Sequence, residues 1–97
     1  IVLGDLNHNT LDQKIGKVLA SLIEGAGYSI AWNSPYAGGY ITKNYGRANS
    51  NQQSIQIEIN RRLYMSRKYE LDDEGVKRVS GLMTKICAAL SDIVGTV

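Results

Sequence analysis

The chain has 97 residues, of which 43% are hydrophobic and 21% charged, and its formal net charge is +2. This is the balance of one small globular domain with a modest core, not of a disordered tail, and no apolar run approaches the roughly 20 residues that a bilayer requires. Lysine and arginine are spread from Lys14 to Arg78 instead of forming a block, so no nucleic-acid footprint is expected.

IVLGD opens the chain without an initiator methionine or a signal-peptide pattern and reads as the middle of a buried strand, so the chain is expected to be a piece of a larger protein. Residues 1–3 form an apolar run that Gly4 and Asp5 stop, which predicts a strand ending in the loop GDLNHN. A helix is predicted next, capped by Thr10. Its apolar stripe is Leu11, Ile15, Val18, Leu19, Leu22 and Ile23, with Asp12, Lys14 and Lys17 outside it and Gly25 and Gly27 as its stop. YSIAW, residues 28–32, reads as a second strand, so the opening strand, helix and strand predict a parallel crossover.

Residues 33–54, NSPYAGGYITKNYGRANSNQQS, hold Tyr36, Tyr40 and Tyr45, Gly38, Gly39 and Gly46, and the single proline. A loop of this length inside a compact domain is functional or disordered, and its aromatic content argues for function. Residues 55–59 then alternate strictly. Ile55, Ile57 and Ile59 share one face, and Gln56 and Glu58 the other, with Asn60 just beyond. LDDEG opens a last helix, capped by Asp72 or Asp73. Its stripe of Val76, Val79, Leu82, Met83, Ile86, Leu90 and Ile93 is expected to pack on the sheet. Cys87, the one cysteine, falls on the apolar side of that helix and reads as a small buried hydrophobe, in keeping with a reducing, cytoplasmic setting.

Familiar catalytic signatures are missing. Neither GAG at 25–27 nor AGG at 37–39 runs from a strand into a helix with the spacing of a nucleotide-binding loop. His8 is the single histidine, so no site built from paired histidines can come from this chain alone, and a triad of Asp5, His8 and Ser21 has no support in its spacing. His8 itself reads as a solvated loop residue. The polar face of the 55–59 strand has two readings: an exposed edge strand, which the pattern by itself favours, or the floor of a cleft, where a desolvated Glu58 would serve as a base. The loop before it likewise has two. It is either a packed structural loop or a binding loop whose glycines permit close approach and whose Lys43 and Arg47 pair with anions.

N-S-P-Y-A-G-G-Y-I-T-K-N-Y-G-R followed by S-I-Q-I-E-I-N-R-R-L-Y-M resembles the C-terminal portion of the N-formylglutamate amidohydrolase (N-formylglutamate deformylase) family, and the likeness runs from V-L-G-D through the final helix. The resemblance implies an α/β fold with a mixed sheet flanked by helices, similar to zinc carboxypeptidases and aminoacylases (phosphorylase/hydrolase-like), with residues 1–97 as the C-terminal portion of a single catalytic domain. It implies hydrolysis of the formyl amide of N-formyl-L-glutamate to formate and glutamate in histidine degradation. A zinc ion would polarise the amide, and Glu58 would stand where the family's general base stands. Arg47 and Arg61 are then the candidates for pairing with the substrate carboxylates, with Tyr40 and Tyr45 as further donors. The family's zinc ligands lie in N-terminal histidine motifs that do not occur here, so the chain alone is expected to be inactive and to associate with the missing N-terminal portion or with itself. Gln53 stands where family members often carry a histidine, and L-N-H-N after G-D has no clear counterpart. The competing expectation is a non-catalytic α/β interaction module that binds a peptide or small anion, with Glu58 as an edge-strand charge.

Overall fold

The computed structural model describes residues 1–50 and 52–95, and the chain divides into two compact units, Ile1–Glu58 and Ile59–Val97. In the first unit β1 (Val2–Gly4) is followed by α1 (Gln13–Gly25), β2 (Ala31–Trp32), α2 (Tyr40–Tyr45) and β3 (Gln56–Glu58). β1 lies in the middle of the sheet formed by the described residues. It pairs in parallel with β2, Leu3 opposite Trp32, and antiparallel with β3, Leu3 opposite Ile57 and Gly4 opposite Gln56. The parallel crossover legible in the sequence is therefore present, and the sheet is mixed. β3 pairs only with β1 among the described residues, which makes it an edge strand.

The core of this unit is Leu3, Leu11, Leu19 and Ile23. Leu19 and Ile23 lie one turn apart on α1, and Ile15 and Leu22 flank them half-buried. Val18, expected in the stripe, is 45% exposed. It is rotated about 100° from Leu19 around the helix and falls at the stripe's rim. The helix also starts later than expected. Asp12, not Thr10, is its cap, accepting from the Lys14 N–H at 2.8 Å. Thr10 is buried and committed elsewhere. Its hydroxyl donates to the Ser54 carbonyl at 2.9 Å while its own carbonyl accepts from the Ser54 N–H at 2.9 Å, pinning the segment before β3 to the start of α1. Gly16, buried on α1, has room for no side chain without crowding, since a Cβ there would lie 3.1 Å from the Trp32 ring.

The second unit holds a 3-10 turn at Arg61–Leu63 and α3 (Asp73–Gly95). Asn60, grouped above with Gln56 and Glu58, is instead the cap of that turn, accepting from the Arg62 N–H at 3.0 Å. Leu82 and Ile86 are the buried members of the α3 stripe, and Asp73 and Glu74 stand in its first turn as expected. Gly75 is buried against the Leu63 carbonyl, where a Cβ would collide. Cys87 is exposed, contrary to the expectation of a buried thiol. Leu82 and Ile86 define the buried line of α3, and Cys87, one residue past Ile86, turns about 100° away from it. No helix among the described residues is long and apolar enough to cross a membrane.

Candidate functional site

The segment between β2 and β3 is not the structureless loop its length implied. α2 forms within it, started by Gly38 and Gly39, of which Gly38 could not be replaced without strain. Gly38 has φ +151°, and a Cβ on it would lie 2.5 Å from Thr42 Oγ1. The buried Thr42 hydroxyl accepts from the Gly39 N–H at 2.8 Å and donates to the Gly39 carbonyl at 2.9 Å. The segment is seated on the sheet through Gly4, whose missing side chain leaves room for the Ala37 carbonyl, and that carbonyl accepts from the Leu6 N–H at 2.8 Å. At its far end Gly46 is buried against Thr10, with 2.5 Å from a would-be Cβ to Thr10 Cβ.

This scaffold holds Tyr40 and Tyr45 edge to face, ring centroids 6.5 Å apart, and both are exposed. The Arg47 guanidinium Nη1 donates to the Gly46 carbonyl at 2.6 Å and the Lys43 carbonyl at 3.3 Å, closing the end of α2. The other guanidinium donors have no partner among the described residues.

Glu58 is exposed on the polar face of β3, beside Gln56 as the alternation requires. The Gln56 amide Nε2 donates to Glu58 Oε1 at 2.8 Å, and Gln56 Oε1 lies 2.9 Å from where a Gly39 Cβ would be. The carboxylate is thus one side chain away from the glycines that open α2. Arg61 lies in the second unit, exposed, beside Arg62 and Arg67 in a depression lined also by Tyr69. Gln53 is a latch: its Oε1 accepts from the Asp12 N–H at 2.7 Å and its Nε2 donates to the Ser50 carbonyl at 3.1 Å.

A second constellation was not anticipated. Asp5, 2% exposed, accepts at Oδ1 from the His8 N–H and from Asn33 Nδ2, both at 2.8 Å, and its Oδ2 lies 3.0 Å from His8 Nδ1. A carboxylate can only accept, so Nδ1 carries the proton. Asn33 Oδ1 in turn accepts from the Asp5 N–H at 2.9 Å and the Asn7 N–H at 3.2 Å. Leu6, Asn7, His8 and Asn33 all have φ between +48° and +73°, a backbone region costly for residues with side chains and held here by the Asp5–Asn33 network. His8 is therefore not the freely solvated residue expected, although its ring remains 52% exposed. The signal available in the sequence was the G-D at the end of a strand, followed by two asparagines around the histidine. Ser21 is exposed on α1, and no contact joins it to this pair. Among the described residues, no group of three or more His, Cys, Asp or Glu side chains is arranged to hold a metal ion.

Residues 1–65 match the model of the N-formylglutamate amidohydrolase family. The chain is also similar to the crystal structure of N-formylglutamate amidohydrolase from Ralstonia eutropha JMP134, with 28% sequence identity and a TM-score of 0.84. That likeness covers 98% of this chain and 35% of the Ralstonia chain, so the 97 residues span about a third of that protein's length. No curated protein matches the chain.

Proposed function

Because the chain belongs to the N-formylglutamate amidohydrolase family, we propose that it supplies the general base and the substrate-anchoring loop of an enzyme that hydrolyses the formyl amide of N-formyl-L-glutamate, or of a related N-acyl amino acid, to formate and the free amino acid. The observation that carries this reading is the Glu58 carboxylate on the wet face of β3, oriented by Gln56 beside the glycines that open α2. In the reaction Glu58 takes a proton from the attacking water as its oxygen bonds to the amide carbon. It returns that proton to the amine nitrogen as the C–N bond breaks. Arg47 pairs with a substrate carboxylate through its unengaged guanidinium donors, and the Tyr40 and Tyr45 hydroxyls add hydrogen bonds.

The family's zinc does not fit the donors described here, among which His8 is the single imidazole. The ion would take its ligands from other parts of the complete polypeptide, within a carboxypeptidase-like fold and a cytoplasmic setting, with this chain as the C-terminal part of one catalytic domain. The exposed Tyr36, Tyr40, Ile41 and Tyr45 support a second reading, an interaction module that grips a peptide or small anion. Glu58→Gln in the complete polypeptide separates the two. A fall in N-formylglutamate hydrolysis by about 10²- to 10⁴-fold with metal content unchanged fits the base, and full activity in that variant removes Glu58 from the role.

A further inference from the structure

The second unit gathers positive charge in one place. Arg61, Arg62 and Arg67 share a depression of about 330 Å³ whose remaining lining is Met65, Ser66 and Tyr69. Short, hydrogen-bonded turns hold its two sides. On one, Asn60 caps the 3-10 turn that carries Arg61 and Arg62, and the Arg61 carbonyl accepts from the Met65 N–H at 2.8 Å. On the other, Met65 and Leu71 pair as an antiparallel bridge, the Ser66 N–H donates to the Glu70 carbonyl at 2.7 Å, and Tyr69 turns the hairpin with φ +60°. Tyr69 is left 75% exposed beside the arginines.

No carboxylate answers this charge. Among the described residues no hydrogen bond or ion pair engages the three guanidinium groups, whereas Arg78 of the same unit takes both Asp72 and Glu74, at 4.0 and 3.8 Å. Arginine keeps its proton, so three of them in one depression cannot relieve their mutual repulsion by titrating, and an anion is what relieves it. Guanidinium forks pair with phosphoryl oxygens through two parallel N–H donors. One phosphoryl group carries about −1.5 to −2 charges near neutral pH, so two joined phosphoryl groups match three arginines where one does not. The depression is of the size of a small ligand pocket.

We propose that this depression binds a diphosphate group, its oxygens paired with the guanidinium forks of Arg61, Arg62 and Arg67. Where the diphosphate belongs to a nucleotide, the exposed Tyr69 ring is the surface on which the base stacks. The site lies wholly within the second unit and uses none of Glu58, Tyr40, Tyr45 and Arg47, so it does not rest on the hydrolase reading.

The test is calorimetric titration of the complete polypeptide, at one fixed ionic strength, with pyrophosphate, orthophosphate and ADP. Pyrophosphate is expected to bind one per chain and at least tenfold tighter than orthophosphate. Arg62→Gln and Arg67→Gln, both at exposed positions, should each weaken pyrophosphate about tenfold, a loss of about 1.4 kcal/mol. Lys85→Gln removes the same charge from an exposed position on α3 outside the depression and should leave binding unchanged. ADP binding tighter than pyrophosphate assigns the group to a nucleotide, an advantage that Tyr69→Leu should abolish; ADP binding no tighter assigns it to a free diphosphate. Pyrophosphate binding no tighter than orthophosphate, undiminished in both arginine variants, or weakened as much by Lys85→Gln overturns the proposal. Displacement of bound pyrophosphate by N-formylglutamate also overturns it, because the depression would then belong to the hydrolase substrate.

Discussion

Replacing Asp5 by alanine removes the acceptor of three hydrogen bonds from a residue that is 2% exposed. Two of the donors, the His8 N–H and Asn33 Nδ2, lie 2.8 Å from Oδ1 in partly buried hydrogen bonds. The third, His8 Nδ1, belongs to a ring that is 52% exposed and can turn to water. Hydrogen bonds to a charged acceptor are worth about 1.5–3 kcal/mol each, and a donor that loses its acceptor forfeits up to that much. Counting two in full and the imidazole as small, the loss is about 3–6 kcal/mol, a large share of the stability of a small domain. With a urea slope of about 1.5 kcal/mol per molar, the unfolding midpoint should fall by about 2–4 M. Asp5→Asn, which keeps one acceptor oxygen, should fall about half as far. A midpoint for Asp5→Ala within about 0.3 M of the parent protein would refute the claim that this carboxylate holds the loop together.

Gly46→Ala should destabilise by about 1–3 kcal/mol in the same urea assay, because its methyl would lie 2.5 Å from Thr10 Cβ and 2.9 Å from the Thr42 carbonyl. Asp12→Ala removes the cap on the Lys14 N–H and should cost about 1 kcal/mol, with Asp12→Asn close to neutral. On the hydrolase reading, Arg47→Ala should raise KM for N-formylglutamate at least tenfold in steady-state kinetics. The same change should move the unfolding midpoint little, since the side chain it removes is exposed. An unchanged KM would restrict Arg47 to closing the end of α2.

Local periodicity made much of the fold legible. The alternation of residues 55–59 set which side chains of β3 share a face. The spacing of Leu19 and Ile23 located the buried line of α1. The short return from strand to helix to strand gave the parallel pairing of β1 and β2. Each of these is a property of residues close in sequence, where backbone geometry alone dictates direction. The two long motifs likewise carried the family, since order and spacing along the chain are what such motifs record.

Long-range pairings were not legible. That Thr10 bonds Ser54 instead of capping α1, that Gln53 latches Asp12, and that Gln56 meets Gly39 all depend on segments about 17 to 44 residues apart being brought together by the sheet. The Asp5–His8 pair was missed for a related reason. Its two residues are three apart, but the network that orients them depends on Asn33, delivered from the end of β2 by the parallel pairing with β1. A sequence states which donors and acceptors exist, while only the closed chain decides which of them are buried together and must satisfy one another.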